Sequence, residues 1–321
     1  MKDIGGYFEL ELNKGGNRYH DTPHAMKSGR SSLHYILNHI TPSLVYIPYY
    51  TCDALLEPFK VANIKYSFYQ INEQLEPTNL IELQPGEYFL YVNYLDVKRD
   101  TVSWLSKLYK DRLIVDATQA FFMKGNGVSW FFNSCRKFFG VPDGSYMYTP
   151  AGIQMPIVDT PNEEYITDHL IKRFNGHTND GYTDFLKNEE LTDSTISGMS
   201  NLTEYLLSGV DYNTAMTQRR ENYAFLHKEF KEINRFDATE DNDSVPMCYP
   251  LLLDKKTEKS LLFDQHIFIP GFWKDVQERR VDGFEFEKSL ADNLWPLPVD
   301  HRYSIQDMGT IADALTNVIL K

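Results

Sequence analysis

The chain has 321 residues, 42% hydrophobic and 24% charged, with a formal net charge of −13. That is the composition of a globular protein long enough for one large core or two domains, and its acidity argues against nucleic acid as a partner while leaving room for a small anion held by a local cluster of donors. Three widely spaced cysteines make neither a disulfide framework nor a metal-ligand cluster, and no apolar run reaches membrane-spanning length, so the expectation is a reduced, cytoplasmic protein without metal or membrane.

Residues 1–27 read as an irregular arm, broken at Gly5-Gly6, Gly15-Gly16 and Pro23 around one strand-like piece, Tyr7 to Leu12. Leu33, Ile36, Leu37 and Ile40 then recur at helical spacing behind Lys27-Ser28-Gly29-Arg30, which puts a helix N-terminus at Ser28 or Gly29. Unpaired amides and the positive dipole end make such a terminus ready for an anion, and the serine hydroxyls and Arg30 either add donors or simply cap the helix. Val45-Tyr46-Ile47 predicts a strand ending at Pro48-Tyr49-Tyr50, where an aromatic either stacks on a flat ligand or joins the core. A helix over 53–62 follows, with Asp53 as its cap. Strands over 64–71 and 88–92, the second ending at Asn93-Tyr94, precede a helix over 101–109. Leu113-Ile114-Val115 is apolar throughout, as suits a strand covered on both faces. This alternation implies a mostly parallel sheet between helices.

Asp116 stands directly after that last strand, where open α/β sheets place their ligands. A second strand leads to Ser134-Cys135-Arg136-Lys137 and the turn Pro142-Asp143-Gly144. An acid on one strand end and a lysine on a neighbouring strand–turn are what pyridoxal phosphate chemistry needs. The lysine forms the Schiff base, and the acid keeps the pyridine nitrogen protonated so that the ring serves as an electron sink. Ser28, Tyr50, Asn93, Asp116, Ser134 and Lys137 all fall at strand C-termini or a helix start, positions that a parallel sheet gathers along one edge.

In the second half, helices are expected over 163–174, 182–190 and 199–207, the last ended by Gly209. A long helix over 212–233 carries Arg219-Arg220 on what reads as a solvated polar face. Strands over 246–253 and 265–270, a strand or turn over 290–297 and a terminal helix over 305–320 complete the chain. The organisation expected is a large domain over 1–208 and a small α+β domain over 209–321.

Ser28-Gly29-Arg30, Ile47-Pro48-Tyr49-Tyr50-Thr51-Cys52, Asn93-Tyr94, Val115-Asp116-Ala117-Thr118-Gln119 and Ser134-Cys135-Arg136-Lys137 with Asp143-Gly144 together resemble the sugar aminotransferases of the DegT/DnrJ/EryC1/StrS group. Their fold is fold type I of the pyridoxal phosphate enzymes: an α/β protein whose mostly parallel central sheet is sandwiched by helices, plus a smaller C-terminal α+β domain. The resemblance implies transfer of an amino group from an amino acid, glutamate, to a keto sugar that is nucleotide-linked. It implies Lys137 as the Schiff-base lysine and proton shuttle, and Asp116 as partner of the pyridinium nitrogen. Gln119 is placed at the cofactor's phenolic oxygen or against its ring, Asn93 beside the cofactor, and Ser28, Gly29, Arg30 and Ser134 around its phosphate. The family's ring-stacking aromatic aligns with Cys52, so stacking passes to Tyr50 or Tyr49, and Arg30 stands where the family has threonine. Tyr94 and Arg302 are the implied substrate contacts, Arg302 for the donor carboxylate by analogy with the wider fold. Arg18, Lys27 and Arg30 are the basic residues nearest for an acceptor's phosphates. A homodimer with the cleft between subunits is implied, with small molecules as the other partners.

Two rival readings stay open: another pyridoxal phosphate chemistry on the same fold, and a non-catalytic scaffold that keeps the fold. A sugar dehydratase of the group would carry histidine in place of Lys137. No Gly-x-Gly-x-x-Gly follows a first strand, which argues against a Rossmann-type dehydrogenase.

Overall fold

The computed structural model describes residues 10–12, 16, 18–239, 243–254, 260–263 and 265–319. The strand expected over 7–12 falls largely outside them. Seven strands form the main sheet: β1 (His24–Met26), β2 (Leu44–Pro48), β3 (Tyr66–Tyr69), β4 (Glu87–Val92), β5 (Leu113–Ala117), β6 (Trp130–Asn133) and β7 (Ser145–Tyr148). Their order is β1-β7-β6-β5-β4-β2-β3. The run from β3 to β6 is parallel, while β7 is antiparallel to both β6 and β1. Helices α1 (Gly29–Ile40), α2 (Glu57–Val61) and α3 (Arg99–Tyr109) supply the crossovers of this half.

The strands form where the apolar runs predicted them. Every residue of β5 and β6 is buried, as parallel strands covered on both faces require. Helix α1 starts where Ser28 accepts a hydrogen bond from the Ser31 amide at 3.0 Å, and it buries Leu33, Ile36 and Leu37. The helix expected over 53–62 is instead broken into a 3-10 turn, Asp53–Leu55, and the short α2. Pro58 lies inside that span and cannot continue a helix from upstream, because it lacks the amide proton. Asp53 does not cap it; its carboxylate binds the Arg279 guanidinium at 2.6 Å.

After β7 come α4 (Asp168–Phe174), α5 (Tyr182–Leu191), α6 (Asn201–Ser208) and α7 (Tyr212–Phe230). Residues 163–167, expected to open α4, are not helical. A two-stranded antiparallel sheet of β8 (Cys248–Leu252) and β9 (Leu294–Pro298) follows, with a helix over Glu285–Asn293 before β9 and a terminal helix over Ile305–Ile319. The strand expected over 265–270 does not form. Ile267 and Ile269 are buried as its alternation suggests, but among the described residues no strand pairs with the segment. Arg219 corrects another expectation. It is not on a solvated face but 1% exposed, donating to the carbonyls of Pro246 and Met247 at 3.2 Å each.

One apolar core runs from the main sheet, through Phe89, Leu113 and Trp130, to Tyr223, Tyr249 and Trp295 of the C-terminal region. A second, aromatic cluster of Phe121, Phe122, Phe138, Phe139 and Tyr146 packs around the turn that carries Lys137. Among the described residues no helix is long and apolar enough to cross a membrane.

Candidate active site

Strands β4, β5 and β6 are parallel and in close register, so their C-terminal ends meet at one edge: Val92 pairs with Asp116, and Ala117 with Asn133. Asp116 is therefore presented at the end of β5. Lys137 arrives at the same edge because β6 runs directly into Ser134 and the 3-10 turn Cys135–Lys137. The segment after β5 then turns back on itself, and Thr118 becomes the hinge of the site. Its amide donates to Asp116 Oδ1 at 2.8 Å, and its hydroxyl accepts from Lys137 Nζ at 3.2 Å. The N-terminus of α1 closes on the same corner. A Cβ placed on Gly29 would lie 3.0 Å from Thr118 Cγ2 and 3.2 Å from the Asn133 carbonyl, so a side chain there would have to push these neighbours aside by a few tenths of an ångström.

Asp116 is 5% exposed, and Lys137 is exposed. Burial pushes the Asp116 carboxyl above the ordinary carboxylate range, with the Lys137 ammonium the largest opposing influence. Cys52, half-buried at the end of β2, feels the same two charges. Burial raises its thiol, Lys137 pulls it down and Asp116 pushes it up. The corner that carries Cys52 is held by Arg279, which donates to the Tyr49 and Thr51 carbonyls at 2.5 Å each.

The turn beyond Lys137 is pinned from several directions. Cys135 donates to the Gly144 carbonyl at 2.9 Å, and Gly144 donates to the Lys27 carbonyl at 2.7 Å. Asp143 is buried and accepts from the Asn162 side chain at 2.9 Å, from the Ser200 amide at 3.0 Å, from the Ser200 hydroxyl at 2.8 Å and from the Thr203 hydroxyl. Gly144 has φ +112°, and a Cβ there would lie 2.9 Å from Thr203 Cγ2 and 3.1 Å from Cys135 Sγ. Gly144→Ala should therefore combine left-handed strain with overpacking and cost about 2 kcal/mol, read as a lower urea midpoint.

The residues at this corner fit a flat cofactor with a phosphate. Ser28 uses the Ser31 and Ser32 amides, leaving those of Gly29 and Arg30 without an intrahelical acceptor at the positive end of α1. No described group hydrogen-bonds the Ser134 hydroxyl. Gln119 Oε1 accepts from the Leu95 amide at 3.0 Å, but its buried Nε2 has no partner, a donor without a use inside the protein.

Of the residues singled out from sequence, Gly29, Asp116 and Lys137 converge at the Thr118 corner, and Ser134 immediately precedes the turn of Lys137. Others point elsewhere. The Ser28 hydroxyl donates to the Asp193 carbonyl at 3.0 Å. Arg30 is taken up by Glu57 at 2.7 Å and by the Glu189 carbonyl at 3.0 Å. Arg18 pairs with Glu204 at 2.5 Å and Lys27 with Asp193 at 2.7 Å, so none of the three basic residues nominated for an acceptor's phosphates is unpaired. Asn93 spends its side chain on Asp96 Oδ1, Met123 and the Lys98 amide. Tyr50 and Tyr94 stack at 5.9 Å; Tyr50 donates to the Phe272 carbonyl and Tyr94 to the Tyr50 carbonyl. Tyr49 stacks on Phe284 at 4.1 Å. Arg302 lines the cavity beside Lys137 but is paired with Asp300 at 2.6 Å. Sequence reasoning missed Thr118, which touches both Asp116 and Lys137.

No family model and no curated protein matches the sequence. Solved structures do resemble it. The sugar aminotransferase CalS13 from Micromonospora echinospora is 13% identical, with 92% of this chain and 86% of that one covered at a TM-score of 0.60. The pyridoxal phosphate form of the putative sugar aminotransferase Spr1654 from Streptococcus pneumoniae is 12% identical over 94% and 88% of the two chains, at 0.64. A DegT DnrJ EryC1 StrS aminotransferase from Brucella abortus is 13% identical over 92% and 85%, at 0.61. At these identities the likeness establishes the fold: a fold type I α/β architecture, shared over nearly the whole chain.

Proposed function

We propose that this protein is a pyridoxal phosphate-dependent aminotransferase that moves an amino group from an amino acid, with glutamate as donor, to a keto sugar carried on a nucleotide, and that it acts as a homodimer. One observation carries the reading: Thr118 joins a buried carboxylate and an exposed lysine at a single corner, its amide on Asp116 and its hydroxyl on Lys137. The shared fold with sugar aminotransferases supports it.

When bound, the cofactor supplies an aldehyde for an amine and a conjugated ring that accepts the electron pair released at a substrate carbon. The chain's part is positioning and proton handling. Lys137 Nζ would hold the cofactor's aldehyde carbon and, when free as an amine, would be the base that carries a proton to and from the substrate carbon. Thr118 Oγ1 keeps that nitrogen at the corner. Asp116 would hold a proton on the ring nitrogen, since a buried carboxylate is stabilised by a cation beside it. The Gly29 and Arg30 amides and the Ser134 hydroxyl would receive the phosphate, and Gln119 Nε2 would be the donor for the ring's oxygen. Cys52, whose thiol feels the charges of both Lys137 and Asp116, would border the ring.

The test is spectroscopic. Adding pyridoxal 5′-phosphate to the purified protein should produce a visible band of bound cofactor, and glutamate alone should convert that band to the ultraviolet-absorbing amine form. Absence of the visible band overturns the enzyme reading. A band that glutamate leaves unchanged removes glutamate as the donor and keeps the cofactor.

A further inference from the structure

A cavity of about 990 Å³ opens beside Lys137, between α4, α5 and the loop 300–303. Among the described residues five cationic side chains line it, Arg136, Lys137, Arg173, Arg219 and Arg302, against one carboxylate, Asp300. In a chain of net charge −13 that local excess calls for an anionic occupant. Most of these charges already have an outlet. Arg136 is paired with Glu189, Arg302 with Asp300, and Arg173 is exposed to solvent.

Arg219 is different. It is 1% exposed, its guanidinium lies 4.6 Å from the Phe138 ring, and no carboxylate hydrogen-bonds it among the described residues. Nη1 is used by the Pro246 and Met247 carbonyls. The Nε–Nη2 edge has only a long contact, 3.5 Å from Nη2 to the Phe138 carbonyl, and Nε has no partner. Burial lowers the Arg219 pKa to about 10, which still leaves it cationic at neutral pH. A buried cation with an open donor edge is costly unless something fills it. The buried Nδ1 of His301, on the same cavity wall, is likewise without a partner.

We propose that Arg219, assisted by His301, is the receptor for a carboxylate carried by the sugar acceptor, so that the acceptor is a keto sugar acid. The open edge of a guanidinium is a planar pair of donors that matches the two oxygens of a carboxylate. Asp300 is the largest opposing charge on Arg219 but is shared with Arg302, so this wall keeps a net positive charge, which balances one carboxylate better than the larger charge of a phosphate monoester. Phe138, Phe139, Tyr182 and Phe185 give the cavity flat apolar walls, which suit the C–H faces of a sugar ring. Lys137 lines the same cavity as Arg219. The sugar identity rests on the aminotransferase reading above; the carboxylate receptor does not.

Binding to the full-length protein without added pyridoxal phosphate tests this, by calorimetry or saturation-transfer NMR. The probes are glucuronate, glucose and glucose 6-phosphate, which share a ring and differ at one carbon. Glucuronate should bind at least about tenfold tighter than glucose, and tighter than glucose 6-phosphate. Arg219→Lys, which keeps the charge and loses the fork, should weaken glucuronate about tenfold and leave glucose unchanged. Equal binding of glucuronate and glucose, no binding of any probe, tightest binding of glucose 6-phosphate, or undiminished glucuronate binding by Arg219→Lys would each overturn the proposal. Should the lysine variant not fold, the comparison among probes on the native chain decides. Glucuronate binding without conversion of the cofactor band by any amino acid would remove transamination and leave the receptor.

Discussion

Lys137→Ala should lower turnover by about 10³-fold or more, since it removes the anchoring nitrogen and the proton carrier together. The thermal midpoint should barely move. Lys137 is exposed, and the Thr118 hydroxyl that its Nζ meets at 3.2 Å sits at an open corner, so truncation buries no new polar group. The visible cofactor band should disappear with the lysine, and added methylamine should restore part of the activity. A purely structural lysine would be restored by no amine. Retention of both the band and the rate in the alanine variant would remove Lys137 from the chemistry altogether.

Asp116→Asn should be the next most damaging change, lowering turnover by about 10²-fold or more, because a neutral amide cannot hold a proton on the ring nitrogen against its tendency to leave. Stability should change in the opposite sense. Burial raises the Asp116 pKa in the folded protein, so ionising it costs more there than in the unfolded chain. The sign follows from linkage: a carboxyl with a raised folded pKa destabilises once pH passes its unfolded value and has no effect well below that value. The side-chain amide of the Asp116→Asn variant keeps an oxygen to accept from the Thr118 amide and sheds the buried charge. The cofactor-free variant should therefore unfold at a higher temperature than the native chain at neutral pH, and the gap should close as pH falls below the ordinary aspartate range. A variant less stable than the native chain at pH 7 would contradict this account of Asp116.

The sheet was legible because its strands are buried on both faces and therefore spell themselves as apolar runs. Leu113-Ile114-Val115 and Tyr88 to Val92 needed no context to be read. The meeting of Asp116 and Lys137 at one edge was legible for a related reason: Asp116 stands directly after such a run, and Lys137 follows the next strand by one short turn. What escaped depended on partners distant in sequence. Arg219 sits in a helix whose polar residues look solvated, and only the carbonyls of Pro246 and Met247, brought over by β8, bury it. Arg30 looked like a phosphate ligand until Glu57 and α5 claimed it. Thr118 was hidden by its smallness, since a hydroxyl matters only through the two groups it touches. The segment 265–270 alternates like a strand but has no neighbour with which to pair, and alternation alone cannot supply one.

The pinning of Asp143 by Ser200 and Thr203 has a consequence for the order in which the protein matures. Strands β2 to β6 are complete once residue 133 has been made, and they can begin to pair as the chain leaves the ribosome. The loop that orients the lysine waits for α6, some sixty residues further on, before its aspartate finds the hydroxyls that hold it. A nascent chain therefore owns its sheet well before it can retain a cofactor, and capture of pyridoxal phosphate should mark the end of its assembly, with chains halted upstream of Ser200 left empty.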